Sequence, residues 1–146
     1  MRVSPRWDAS LPSCAEWSST LPTRSKFFME FVMLVLLLLQ VKHWYIDFVM
    51  QTPEMVAAKG KYGDPVGIWH SAQHSIATLL IMLLVTTPYL AVVLALLDFV
   101  THYHIDWYKM NKGCRDIQDP KFWNHLGLDQ MAHQIVYLVI ASIALL

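Results

Sequence analysis

The sequence predicts an all-α, polytopic membrane protein built as a bundle of four transmembrane helices. Three observations lead there. Of the 146 residues, 55% are apolar and only 15% are charged, against about 45–50% and about 25% in ordinary soluble domains. Mean hydropathy is +0.38. After residue 26, apolar stretches recur at close to the length of a membrane span, which is about 20 residues. Net charge is zero, which argues against nucleic acid as a partner, because that binding needs a basic face. Cys14 and Cys114 match no metal or redox spacing and point to no disulfide framework.

Residues 1–26 are rich in Ser and Pro and have no apolar periodicity. They read as a poorly ordered tail preceding a transmembrane domain at 27–146. Met29 opens the apolar segment and is an alternative start. The run Phe31–Leu39 continues into Gln40, Lys42 and His43 without a small-residue cleavage site, which argues against a secretory signal. Residues 27–50 form the first predicted span. Residues 67–110 would extend about 66 Å as one helix, against a hydrocarbon core of about 30 Å. Thr86-Thr87-Pro88 lies near the middle, and proline disfavours helix for the residue before it. The predicted spans are therefore 67–86 and 89–110. A solvated loop covers Lys109–Trp123, and residues 127–146 make the fourth span.

Histidine and aspartate recur four residues apart along these segments: His43/Asp47, His70/His74, Asp98/His102/Asp106 and Asp129/His133. Positions i and i+4 stack on one helix face. The motifs fall at the end of span 1, the start of span 2, the end of span 3 and the start of span 4. In an antiparallel bundle those four ends share one side of the membrane, so nine ionisable groups converge. A single span over 74–97 would instead separate His70/His74 from Asp98/His102. Trp44, Tyr45, Trp69, Tyr103, Trp107, Tyr108, Phe122 and Trp123 fall on the same side, as an interfacial aromatic belt does. A belt alone would also hold ordinary interfacial histidines, but it does not require aspartate at i,i+4. His104 and His125 lie off the spacing and read as interfacial. Seven basic residues, Lys42, Lys59, Lys61, Lys109, Lys112, Arg115 and Lys121, lie on the motif side, against Arg2, Arg6, Arg24 and Lys26 opposite. The positive-inside rule then puts the motifs at the cytoplasmic face.

Ionisable groups within membrane segments are costly and are functional candidates by default. Imidazole with carboxylate suits Zn²⁺ first, or Mn²⁺ or Fe²⁺. The set is large enough for one or two ions. His43, His70, His74, Asp98, His102 and His133 are expected as direct ligands. Asp47, Asp106 and Asp129 are expected as the catalytic set: second ligands, carboxylates that orient ligands, or a general base. Haem is a weaker reading, because axial histidines do not require four aspartates. Asp129 has a plainer role available at a helix N-terminus; His133 has none. The leading expectation is a metal-dependent hydrolase acting on a lipid or lipid-linked substrate, with membrane lipid as its surroundings. Alternatives are a transporter or an ion or proton pathway, and a small membrane protein that works by assembly without catalysis.

The segments KHWYIDFVMQT (42–52), the stretch around His70 and His74, LLDFVTHYHIDWYK (96–109) and GLDQMAHQIVYL (127–138) resemble a family of small membrane proteins of bacteria and their phages, catalogued as domain of unknown function 3307. The resemblance covers most of residues 30–140 and implies a membrane protein and little more; a bacterial inner membrane is the expected location. In motif style the chain is also similar to membrane-bound metal-dependent hydrolases regulated with the DNA-damage response.

Overall fold

A computed structural model describes residues 23–145. Five helices follow one another there: α1 (Thr23–Trp44), continued by a π-helical segment (Tyr45–Met50), then α2 (Pro53–Lys59), α3 (Pro65–Leu83), α4 (Pro88–Lys112) and α5 (Pro120–Leu145). The all-α class and the four long helices match the sequence reading, and most boundaries move outward, except that the second long helix ends at Leu83 rather than at residue 86. Residues 1–22 of the expected tail, with Cys14, lie outside the described residues, whereas Thr23–Lys26 are helical. The fourth helix begins at Pro120, seven residues before its expected start. The expected loop shrinks to residues 113–119.

The starts have a common cause. Helices α2 to α5 each open on a proline: Pro53, Pro65, Pro88 and Pro120. Proline suits the first helical position, where its missing N–H has no intrahelical acceptor and its fixed φ is already helical. Three of these helices also have a side-chain cap. Thr52 Oγ1 accepts from Met55 N–H, Asp64 from Val66 N–H, and Thr87 from Leu90 N–H. Such caps are each worth about 1 kcal/mol. The short α2 has no apolar periodicity long enough to register, and Thr52-Pro53-Glu54 is its only local sign.

By contacts the chain divides into two units, Met1–Phe31 and Val32–Leu146, and the second holds the helix bundle. Its helices run alternately up and down. His70 meets His102 while Thr78 meets Asp98, so α3 and α4 are antiparallel. Lys109 meets Asp129 while His102 lies beside His133, so α4 and α5 are antiparallel too.

The unit is inside out relative to a soluble protein. Its interior holds Lys42, His43, Asp47, Lys59, His70, His74, Asp98, His102, Asp106, Asp129 and His133. Leu37, Leu80, Leu96 and Leu138 are each more than half exposed. An apolar exterior around a polar interior suits lipid rather than water. Three helical stretches, Ser25–Met50, Pro88–Lys112 and Pro120–Leu145, are long and apolar enough to cross a membrane. The chain therefore reads as a membrane protein. The second predicted span corrects to a shorter element: α3 has 19 residues and is not among those three. Its inner face carries Ser71, His70, His74 and Thr78, which dilute its hydropathy.

Gly67 permits the close approach of α2 to α3. A Cβ there would stand 3.1 Å from Ala58 O and 3.3 Å from Ala58 C. Both obstacles are backbone, so α2 itself would have to move. Gly67→Val is expected to lower thermal stability in detergent by about 1–3 kcal/mol, the range for overpacking. Gly127→Ala, which meets nothing within 4 Å, should leave stability unchanged or raise it slightly through helix propensity.

Candidate metal centre

The π-helical segment places the first carboxylate. His43 ends the regular part of α1, and Asp47 lies in the wider turn that follows. Their side chains still meet, with His43 Nε2 3.2 Å from Asp47 Oδ2. Such insertions occur often at functional sites. Helix α3 contributes His70 and His74, α4 contributes His102 and Asp106, and α5 contributes Asp129 and His133.

Asp47 Oδ1 is the hub. His70 Nε2 lies 2.9 Å from it, His74 Nε2 3.4 Å and His102 Nε2 3.9 Å. His70 Nε2 and His102 Nε2 are 3.3 Å apart. Tetrahedral zinc with bonds of about 2.0–2.1 Å sets its ligand atoms about 3.3–3.4 Å from one another. These four side chains offer ligand atoms that all lie within 4.8 Å of one another. So do Asp106, Asp129 and His133, and so do His43, His102 and His133. The first two groups share no residue.

Several buried atoms have no hydrogen-bond partner among the described residues. They include both ring nitrogens of His74, Nδ1 of His70 and His102, Asp129 Oδ1 and His133 Nε2. An unsatisfied buried polar atom costs about 1–3 kcal/mol. Their concentration at one place fits a ligand that they would bind. His43 differs, because both of its nitrogens are engaged: Nδ1 with the Tyr137 hydroxyl at 2.8 Å, and Nε2 with Gln130 Oε1 at 3.1 Å.

The sequence profile described as "Protein of unknown function (DUF3307)" matches residues 33–146. The chain belongs to that family. No curated protein and no solved structure matches it. The DUF3307 region coincides with the compact unit and contains every motif residue.

Within this DUF3307 domain the structure gathers eight of the nine predicted residues into the metal-capable groups and sets one apart. Asp98 belongs to none of these groups. Its Oδ2 takes the Lys42 ammonium at 2.6 Å and the Thr78 hydroxyl at 2.5 Å, so the depth that marked it as a ligand is answered by an ion pair instead. Asp47, Asp106 and Asp129, expected as second ligands, orienters or a base, all stand among the possible ligands. His104 and His125 stay outside the groups. His104 is exposed and bonds Tyr62 Oη and Val100 O, and His125 Nδ1 accepts from Cys114 N–H. Tyr103 corrects from the interfacial belt to the interior, where its hydroxyl accepts from Gly63 N–H at 2.6 Å.

Three lysines were missed as site residues and counted only toward topology. Lys59 Nζ bridges Asp106 Oδ2 at 2.8 Å and Asp47 Oδ1 at 3.3 Å. Lys42 holds Asp98, and Lys109 holds Asp129 at 2.9 Å. Four buried aspartates thus face three lysines, and one carboxylate is left for a further cation or a protonated imidazole.

Burial opposes the charge on Lys59, but the nearby Asp106 and Asp47 outweigh it and hold its pKa above the ordinary lysine value. A raised folded-state pKa means that the contribution is complete below the unfolded-state value and is lost only as pH rises through the higher one. Lys59→Met is expected to destabilise chelator-treated protein by about 3–5 kcal/mol, because it strands buried carboxylates. The exposed control Lys61→Met should have little effect. The Lys59 deficit should stay flat over about pH 6–9 in thermal melts.

Proposed function

We propose that this protein holds one or two divalent cations, zinc first among them, inside its membrane bundle, and that it hydrolyses a lipid or lipid-linked substrate. The observation that carries the reading is the packing of Asp47, His70, His74 and His102 around one point, at separations suited to tetrahedral ligation. The separate group Asp106, Asp129 and His133 supports a second ion. A bound divalent cation supplies Lewis acidity and activates water near neutral pH. The chain's own residues would do the rest. With a single ion in the Asp47 group, Asp106 and Asp129 would remain to accept a proton or orient a ligand. Tyr137 and Gln130 fix the ring of His43. The apolar exterior suits a substrate that arrives from lipid.

A second reading, an ion or proton pathway, draws on a different observation. The polar interior continues past the metal-capable groups to Asp98, Lys42 and Thr78, and buried chains of acids and bases can relay protons. Hydrolysis by purified protein without ion flux in proteoliposomes would favour the first reading, and flux without hydrolysis the second.

We place the protein in a bacterial inner membrane with the site side cytoplasmic. Lys61, Lys112, Arg115 and Lys121 support that orientation through the positive-inside rule. Lys42, Lys59 and Lys109 lend less support than their number implied, since each is paired with an aspartate. In a chain freed of native cysteines, Lys112→Cys should resist an impermeant thiol reagent in intact cells and react once the membrane is opened. Labelling in intact cells would reverse the orientation.

Metal analysis tests the centre directly. His74→Ala and His102→Ala should each lose stoichiometric metal and hydrolysis, whereas His104→Ala and His125→Ala keep both. Asp98→Asn should retain metal, since that carboxylate is engaged by Lys42 and Thr78. Equal metal in wild type, His74→Ala and His104→Ala would refute the ligand assignment and favour a protein that acts by assembly.

A further inference from the structure

We infer that a cavity beside the polar interior binds the phosphate-bearing head of an anionic lipid. The cavity holds about 500 Å³ between the last turns of α4 and the first half of α5. Its wall includes Asp129, which is also a member of the Asp106, Asp129 and His133 group. The inference deepens the lipid-hydrolase reading and rests on it for the purpose of the cavity, whereas binding itself requires no metal.

Three donors line this space. Lys112 is exposed and has no partner among the described residues. Lys109 reaches Asp129 Oδ2 at 2.9 Å with its side chain still 29% exposed, and an ammonium has three protons to donate. His125 Nδ1 accepts from Cys114 N–H at 2.7 Å; the neutral ring therefore carries its proton on Nε2 and donates from there. The one carboxylate in the wall does not repel an anion freely, because Asp129 Oδ2 is covered by Lys109 Nζ and by Gln130 Nε2 at 3.1 Å. Lysine binds phosphate as a point charge without demanding a fixed geometry.

The remainder of the wall points to a lipid as the carrier of that phosphate. Ile105, Leu128 and Ala132 line the cavity as well, and Leu128 is half exposed on the outer surface. Tyr108, at the cavity, is 64% exposed, and Trp123, at the start of α5, is 58% exposed. Exposed Tyr and Trp at helix ends mark the level of the lipid head groups. A phosphate held there would have its acyl chains beside an apolar wall, and its ester bonds near the Asp106, Asp129 and His133 group.

The test uses the full chain in a nonionic detergent, titrated by native mass spectrometry. The probes are dioctanoyl phosphatidylglycerol, dioctanoyl phosphatidylcholine and inorganic phosphate. Phosphatidylglycerol should bind at least about tenfold more tightly than either of the others, the scale of one lost charge interaction. Lys112→Gln should weaken it by about tenfold, and Ala132→Phe should abolish it by filling the cavity. Lys112 is exposed, so its variant reports even if Ala132→Phe fails to fold. Equal affinity for the two lipids, or unchanged binding in Lys112→Gln, would overturn the inference. Free phosphate binding as tightly as phosphatidylglycerol would overturn the lipid assignment. Selective lipid binding by protein that takes up no metal would support this site while sinking the metal centre. Full metal content without lipid selectivity would sink this site alone.

Discussion

Asp47 Oδ1 lies within 4 Å of three imidazole nitrogens and of the Lys59 ammonium. Around it stand further aspartates and lysines in a bundle whose outer surface is apolar. Charges so enclosed are tolerated only when they neutralise one another, since each alone carries a desolvation cost of several kcal/mol. That requirement organises the unit. It draws α1 to α3 and α4 through Lys42 and Asp47, ties α2 down through Lys59, and joins α4 to α5 through Lys109 and Asp129. Apolar packing between helices contributes less to specificity in lipid, where the surroundings are as apolar as leucine. Polar groups that must find one another choose the arrangement instead.

Much of this was legible because helical periodicity is rigid. A spacing of four residues puts two side chains on one face whatever the surroundings, and alternation of chain direction puts four helix ends together. The convergence of His43, His70, His74, His102 and His133 follows from those two facts, and the 3.3 Å approach of His70 to His102 excludes the alternative with one span between them. Asp98 shows where the reasoning stopped. Spacing identified a buried carboxylate but not its partner, because Lys42 lies 56 residues away in the chain and ion pairing across helices leaves no local pattern. Lys59 escaped for the same reason, compounded by its position in a helix of seven residues. The start of α5 was missed because the stretch 120–126 is mixed in polarity and carries no apolar run, although Pro120 suits a first helical position.

The distribution of cations has two sides. Lysines near a helix end ordinarily fix topology, and here three of them turn inward to aspartates. The interior still carries one more carboxylate than lysine. A bound divalent cation and a protonated imidazole are the two ways to meet that excess, and they correspond to the hydrolytic and pathway readings. The same electrostatic shortfall thus underlies both readings.

The π-helical segment has a consequence for how this family can vary in length. Helices usually tolerate substitution far better than they tolerate a gained or lost residue. A one-residue deletion within Tyr45–Met50 would convert the wide turn to a regular one, and a residue's azimuth on a regular helix changes by about 100° per position. Everything after the deletion would keep its place relative to α2, while Asp47 or its neighbours would swing away from the three imidazoles. A variant that keeps every histidine but lacks one residue in this stretch would therefore part Asp47 from the imidazoles it faces, although its composition would hardly change. Register in six residues of backbone, rather than the mere presence of an aspartate, holds that carboxylate in place.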